Sequence, residues 1–200
     1  MVTEVFTDGA CLGNPGPGGW AFVVDQGPWS SGFEPHTTNQ RMELTAASAA
    51  VQTLEGPLCV HSDSTYVVNC FVQEWWKGWL RRGWKNSKKE PVANRDLWEP
   101  FIELVNARAD VDFVWVKGHS GHRLNDAADQ LATAAAAEQK HQSGGIFTDA
   151  IVRGLDGDGP STTSDSENQI TNSAHSVAVF GHRPPELGGY GENSITMSVR

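Results

Sequence analysis

A chain of 200 residues with 38% hydrophobic content has room for one substantial domain and a fragment of another. Its three cysteines, Cys11, Cys59 and Cys70, are odd in number and share no C-x-x-C spacing, which argues against a disulfide framework or a zinc ribbon and fits a reducing cytoplasm. The net charge of −9 argues against a uniformly basic nucleic-acid surface, and the start M-V-T-E-V-F-T-D, with no run of about 18 apolar residues anywhere, argues against export and membrane insertion.

The opening segment alternates as a strand should and breaks at the turn G-N-P-G-P-G-G, after which W-A-F-V-V-D resumes a strand, so the pattern predicts a hairpin. A third strand is predicted over residues 30–36. Thr38 or Asn39 can then cap a helix from Arg41 to Leu54, with Met42, Ala46, Ala49 and Ala50 as its apolar stripe. A fourth strand, P-L-C-V-H-S, leads through Asp63 into a helix over Thr65 to Phe71. A Trp/Lys/Arg-rich segment follows, then a helix from Asp96 to Arg108, a strand V-D-F-V-W-V and a last helix from Leu124 to Gln139. The order βββαβααβα predicts a mixed α/β fold, a five-stranded mixed sheet flanked by helices, over residues 1–140.

Beyond Lys140 the chain turns to Gly, Ser, Asp and Thr, a composition that cannot bury enough surface to offset its ordering entropy, so residues 141–175 are expected to form a flexible linker. From Ser176 the strand-like S-V-A-V-F runs into G-H-R-P-P-E-L-G-G-Y. That strand and loop resemble the opening of a Rossmann-like domain of the SLOG superfamily, so residues 176–200 read as a truncated or vestigial second domain, with a disordered tail as the alternative.

Four acidic residues stand out for their settings. Asp8 lies mid-strand in V-F-T-D-G-A-C-L-G-N-P-G-P-G-G, Glu43 in T-T-N-Q-R-M-E-L, Asp63 at the end of an apolar run in C-V-H-S-D-S, and Asp129 in N-D-A-A-D-Q-L-A. An acid in a strand that buries one face is costly unless paired or metal-bound. Glu43 also has a structural explanation near a helix start, Asp63 as a turn-forming Asp, and Asp126 rivals Asp129 on the same helix. Carboxylates from distant segments that converge can hold divalent cations for phosphodiester hydrolysis.

These motifs, in this order and with V-K-G-H-S-G-H before the last acid, resemble the type 1 ribonuclease H family from Thr3 to about Gln139. The resemblance implies the ribonuclease H fold and an endonuclease that cuts the RNA strand of RNA–DNA hybrids, leaving 5′-phosphate and 3′-hydroxyl ends, with roles in primer removal and R-loop clearance. It implies that Asp8, Glu43, Asp63 and Asp129 hold two Mg²⁺ ions, with Mn²⁺ as a substitute, that Asp129 is chosen over Asp126, and that His119 is an auxiliary proton-transfer residue. It further implies a monomer. An H-x-x-H zinc pair of His119 and His122 finds no third ligand of suitable spacing in the sequence.

Substrate contacts are expected at two places. Between Glu74 and Arg95 stand seven basic residues and two acidic ones, a local excess of five positive charges interleaved with Trp75, Trp76, Trp79 and Trp84. Lys and Arg neutralise phosphates and aromatic faces meet sugars and bases, so Trp79, Arg82, Trp84, Lys85 and Lys88 are expected to touch the hybrid in a segment resembling the family's basic protrusion. At least two of the four tryptophans are expected to pack this segment onto the body. The resemblance assigns Cys11, Asn14, Asn39, Gln40 and Asn125 to the hybrid as well, the 2′-hydroxyl marking RNA from DNA. Gln40 replaces the family's usual asparagine, and Thr65 stands where a glutamine is common. The competing readings are a non-catalytic hybrid-binding module, against which all four carboxylates and His119 are intact, and a polynucleotidyl transferase or exonuclease of the same architecture.

Overall fold

The structure is a computed structural model and describes residues 1–155. A mixed sheet of six strands forms its centre: β1 (Thr3–Cys11), β2 (Gly16–Val24), β3 (Trp29–Thr37), β4 (Leu58–Ser62), β5 (Val111–Trp115) and β6 (Gln142–Gly144). Their order across the sheet is β5-β4-β1-β2-β3-β6. Strands β1, β4 and β5 run parallel, whereas β1, β2, β3 and β6 pair antiparallel in turn. The helices are α1 (Asn39–Thr53), α2 (Thr65–Val72), α3 (Trp75–Arg81), α4 (Arg95–Arg108), α5 (Arg123–Glu138) and α6 (Asp149–Leu155).

Period-two alternation along β1 and β2 divides the core between the two faces of the sheet. Val5, Phe22 and Val60 point to one face and meet Leu44 and Val51 of α1, Val67 of α2, and Trp98 and Phe101 of α4. Phe6, Ala21 and Val23 point to the other, where Ala127, Ala128, Leu131 and Ala132 of α5 lie against them. Small side chains on α5 let its backbone approach the sheet. On the first face the aromatic rings interlock, Phe71 stacking on Phe113 with centroids 4.1 Å apart and Trp79 meeting Trp98 edge-on at 5.4 Å. The indole N–H of Trp98, fully buried, donates to the Tyr66 hydroxyl at 2.8 Å, so its polar atom is satisfied.

The expected elements form in the expected order, with ends shifted by one or two residues, and a further helix, α3, lies within the Trp/Lys/Arg-rich segment. Two expectations need correction. The sheet has six strands, not five, and residues 142–155 of the segment read as linker carry β6 and α6. Strand β6 pairs with β3, Trp29 opposite Gly144, and Phe147 is fully buried beside Ile151, Val152 and Leu155 on the α5 side. The physical signal was the spacing of apolar residues in I-F-T-D-A-I-V-R-G-L, which the high Gly and Ser content on either side obscures. The expected strand over 176–200 lies outside the described residues, as does the rest of the linker.

Candidate active site

Asp8 sits mid-strand on β1, 9% exposed, and its carboxylate accepts from the Gly9 amide at 2.7 Å. Gly9 decides how near Glu43 can come. A β-carbon there would fall closer than 3.0 Å to the backbone of Met42 and Glu43, so only glycine lets α1 lie this close to β1. Glu43 is past the first turn of α1, whose N-cap is Thr38, and the helix-dipole explanation for it therefore fails. Its carboxylate is held at both oxygens: Asn39 Nδ2 donates to Oε1 at 2.8 Å and Ser64 Oγ donates to Oε2 at 2.5 Å. Ser64 also caps α2 by accepting from the Val67 amide, so one hydroxyl ties the start of α2 to Glu43.

Asp63 follows β4 directly and is positioned from three sides. Its backbone carbonyl accepts from Trp115 Nε1 at 3.0 Å, its side chain accepts from Asn125 on α5, and Gly118 packs against its Oδ2. Asp129 lies one turn beyond Asn125 on α5, half-buried, with His119 Nδ1 3.9 Å from its Oδ2. His119 itself is 83% exposed, in a left-handed backbone conformation with φ +48°, in the loop between β5 and α5. The neighbouring Gly121, at φ +78°, gives that loop its second turn.

The electrostatics of the group are those of partly buried carboxylates that repel one another. Burial pushes Asp8 up to about 8, and the charges of Asp63, Asp129 and Glu43 push in the same direction, against the Gly9 hydrogen bond. Burial likewise raises Glu43, opposed by the Ser64 and Asn39 hydrogen bonds. Asp63 is raised by burial too, and the His119 charge and the Asn125 hydrogen bond oppose it. Asp8 thus feels the charges of Asp63, Asp129 and Glu43, although the four come from β1, the end of β4, α5 and α1.

The remaining expected residues divide. Cys11, Asn14, Asn39 and Gln40 converge where the β1–β2 turn meets the start of α1. Asn14 Oδ1 accepts from the Asn39 amide at 3.2 Å, and Cys11 Sγ donates to the Thr37 carbonyl at 3.5 Å. Asn14 and Gln40 are exposed. Arg82, Lys85 and Lys88 are exposed on the segment that follows α3. Trp79 and Trp84, in contrast, are 8% and 7% exposed and belong to the core, so their rings have no free face to offer a base. Arg95 lies over the Trp84 ring, 5.0 Å from its centroid, which further occupies it. Asn125 is 1% exposed and bonded to Asp63, so it orients that carboxylate and does not meet solvent. Sequence reasoning missed Ser64, Gly9 and Gly118 as supports of the site. The D-G and D-S pairs and the K-G-H triplet marked their positions, but a close approach between distant segments leaves no local pattern.

A family model for RNase H matches residues 1–137. The ribonuclease H of Granulibacter bethesdensis is 47% identical over 142 residues, covering 68% of this chain and 93% of that protein. Ribonuclease HI of Caulobacter vibrioides is 52% identical over 133 residues, covering 64% of this chain and 88% of its own length. Among solved structures, LC9-RNase H1, a type 1 RNase H with the type 2 active-site motif, superposes with a TM-score of 0.62 at 32% identity over 73% of this chain and 76% of that one. LC11-RNase H1, solved in complex with an RNA/DNA hybrid, shares the fold at 21% identity, with a TM-score of 0.52 over 68% of this chain and 96% of that one. Four carboxylates brought together from four elements, in a chain about half identical to these bacterial relatives over nearly their whole lengths, place it in the ribonuclease H family.

Proposed function

We propose that Asp8, Glu43, Asp63 and Asp129 together hold the divalent cations with which this ribonuclease H hydrolyses the RNA strand of RNA–DNA hybrids, and that those cations are Mg²⁺. The observation that carries the assignment is the burial of Asp8 beside Asp63, Asp129 and Glu43, whose charges add to burial in pushing it up to about 8. A cluster that burial and mutual repulsion push toward protonation is one that a cation relieves. All four donors are hard carboxylate oxygens, which suits Mg²⁺ and allows Mn²⁺. When bound, a pair of such ions supplies activation of the attacking water and stabilisation of the leaving 3′ oxygen.

The chain's own residues do the rest. Asn39 and Ser64 fix both oxygens of Glu43, and Asn125, Trp115 and Gly118 fix Asp63, so two of the four ligands need no reorganisation when substrate arrives. His119, exposed on its glycine-bracketed loop and near Asp129, is placed to pass a proton between the site and water as product leaves. The surface formed by Cys11, Asn14, Asn39 and Gln40 offers amide donors and acceptors to the 2′-hydroxyls of the RNA strand, and Arg82, Lys85 and Lys88 neutralise backbone phosphates.

The test is a set of single substitutions, Asp8→Asn, Glu43→Gln, Asp63→Asn and Asp129→Asn, each assayed for hybrid cleavage and for hybrid binding. Each is expected to lower kcat by about 10³-fold, roughly 4 kcal/mol of transition-state stabilisation, with binding changed only a few-fold. A variant that kept the full rate would remove its residue from the ligand set.

A further inference from the structure

Beyond the carboxylate cluster, the sheet assembles a second set of ligating side chains of different chemistry. Glu4 of β1 stands directly opposite Cys59 of the parallel strand β4, and His61 lies two residues further along β4 on the same face. One ligand atom from each residue falls within 4.8 Å of those of the other two. Cys59 Sγ is 3.5 Å from His61 Nε2, and the same nitrogen meets the Glu4 carboxylate. For ligand bonds of about 2.3 Å to sulfur and 2.0–2.1 Å to nitrogen, two ligands at a tetrahedral angle are themselves about 3.5 Å apart. The Cys59–His61 separation is the one a shared ion requires, whereas the Glu4 carboxylate bonds His61 Nε2 directly and swings off it, from its exposed position, to admit the ion.

The group is also rigid. Two strands hydrogen-bonded in register fix the three Cα atoms, and Phe6 stacks on the His61 imidazole at 4.5 Å with its plane tilted by 13°, which aims Nε2 along the sheet face. The His61 side chain is 15% exposed and Glu4 57%, so an ion has a route in from solvent and a place for water as a fourth ligand. Asp112 of β5 pairs with Cys59 on its other side and offers a second carboxylate from the same face.

We infer that Glu4, Cys59 and His61 form a site for a thiophilic divalent ion of the Zn²⁺ class, separate from the all-oxygen catalytic cluster. A thiolate, an imidazole and a carboxylate select borderline-soft ions over Mg²⁺. Binding deprotonates the Cys59 thiol and releases that proton to water. It leaves the ring proton of His61 on Nδ1, which is buried and has no acceptor among the described residues, so this site is weaker than one with a complete outer shell and fills in response to added metal. An ion here would bridge β1 to β4. His61 is two residues before Asp63, about 7 Å along an extended chain, so the site is positioned to stiffen or displace the catalytic strand ends.

The full chain, stripped with EDTA and supplied with excess Mg²⁺ to occupy the carboxylates, is titrated with Co²⁺ as a spectroscopic stand-in and then with Zn²⁺. The expected result is a thiolate-to-cobalt charge-transfer band that saturates at one equivalent and disappears on adding Zn²⁺. It should be lost in Cys59→Ser, weakened at least about tenfold in apparent affinity in Glu4→Gln, and retained in Cys11→Ser, Cys70→Ser and Asp63→Asn. Thermal melts without metal establish that Cys59→Ser and Glu4→Gln remain folded. Absence of the band from the unaltered chain, its survival in Cys59→Ser, or its loss in Asp63→Asn would overturn the assignment.

Discussion

A β-carbon added to Gly118 would fall closer than 3.0 Å to Oδ2 of Asp63, a separation that real Cβ atoms essentially never show. The loop that carries His119 therefore runs directly against the carboxylate, and the absence of a side chain at Gly118 leaves Asp63 its rotamer. Gly118→Ala should move the Asp63 side chain without opening a core cavity. We expect hybrid cleavage to fall by about 10²-fold, the scale on which a misplaced catalytic group is felt, with the melting temperature changed by only a few degrees. An alanine variant with full activity would show that Asp63 tolerates displacement.

Asp8 gives the ion-free protein a distinctive pH profile. Its folded-state value lies at about 8 against an ordinary 3.8, so between those limits the native state holds a proton that the unfolded chain has lost. Stability is then greatest below the ordinary value and falls as pH rises toward 8. Asp8→Asn removes the titration, and each tenfold displacement of the proton equilibrium is worth about 1.4 kcal/mol. Urea unfolding in EDTA should find the variant more stable than the parent by at least that amount near pH 8, with a smaller difference near pH 5. Equal stabilities at the higher pH would contradict the burial argument.

The basic segment separates binding from folding. Replacing Lys85, Lys88 and Lys89, all exposed, with alanine should raise KM several-fold and flatten its dependence on salt while leaving kcat and stability near the parent values. Trp79→Ala, at a buried position among Trp84 and Trp98, should instead cost about 3–5 kcal/mol of stability. A lysine triple variant with unchanged salt dependence would show that these charges do not meet the hybrid.

The C-terminal edge of the catalytic body is testable through Phe147. Ending the chain at Lys140 removes β6, Phe147 and the apolar face of α6, and should lower stability by about 3–5 kcal/mol. Phe147→Ala alone should account for most of that loss. A chain ending at Leu155 keeps both elements and should regain the denaturant midpoint that the Lys140 truncation loses. If Phe147→Ala were neutral, the buried ring would not be contributing to the native state.

How much of this was legible in the sequence varies with the range of the interaction. Alternation along β1 and β2, the apolar stripe of α1 and the turn G-N-P-G-P-G-G are local patterns, and the elements formed where those patterns indicated. The acids could be singled out because Asp8 interrupts a strand that buries its neighbours and Asp63 closes an apolar run. Trp79 and Trp84 show where such reasoning stops. Aromatics interleaved with Lys and Arg look alike whether they face nucleic acid or a core, and only the docking of α3 against Trp98 decided that both turn inward. Asn125 is similar, since its contact with Asp63 joins α5 to the end of β4. The Glu4, Cys59 and His61 group is invisible for the same reason, because parallel pairing brings residues 55 or more positions apart into register.

Cleavage of one end-labelled set of oligonucleotides, RNA–DNA hybrid, double-stranded RNA, double-stranded DNA and single-stranded RNA, tests the central assignment most directly. The full chain and Asp63→Asn are compared with Mg²⁺ and with EDTA. The predicted result is Mg²⁺-dependent cutting confined to the RNA strand of the hybrid, leaving 5′-phosphate and 3′-hydroxyl ends, and lost in the variant. Binding of the hybrid without cutting under Mg²⁺ or Mn²⁺, or cutting that survives Asp63→Asn, would contradict it.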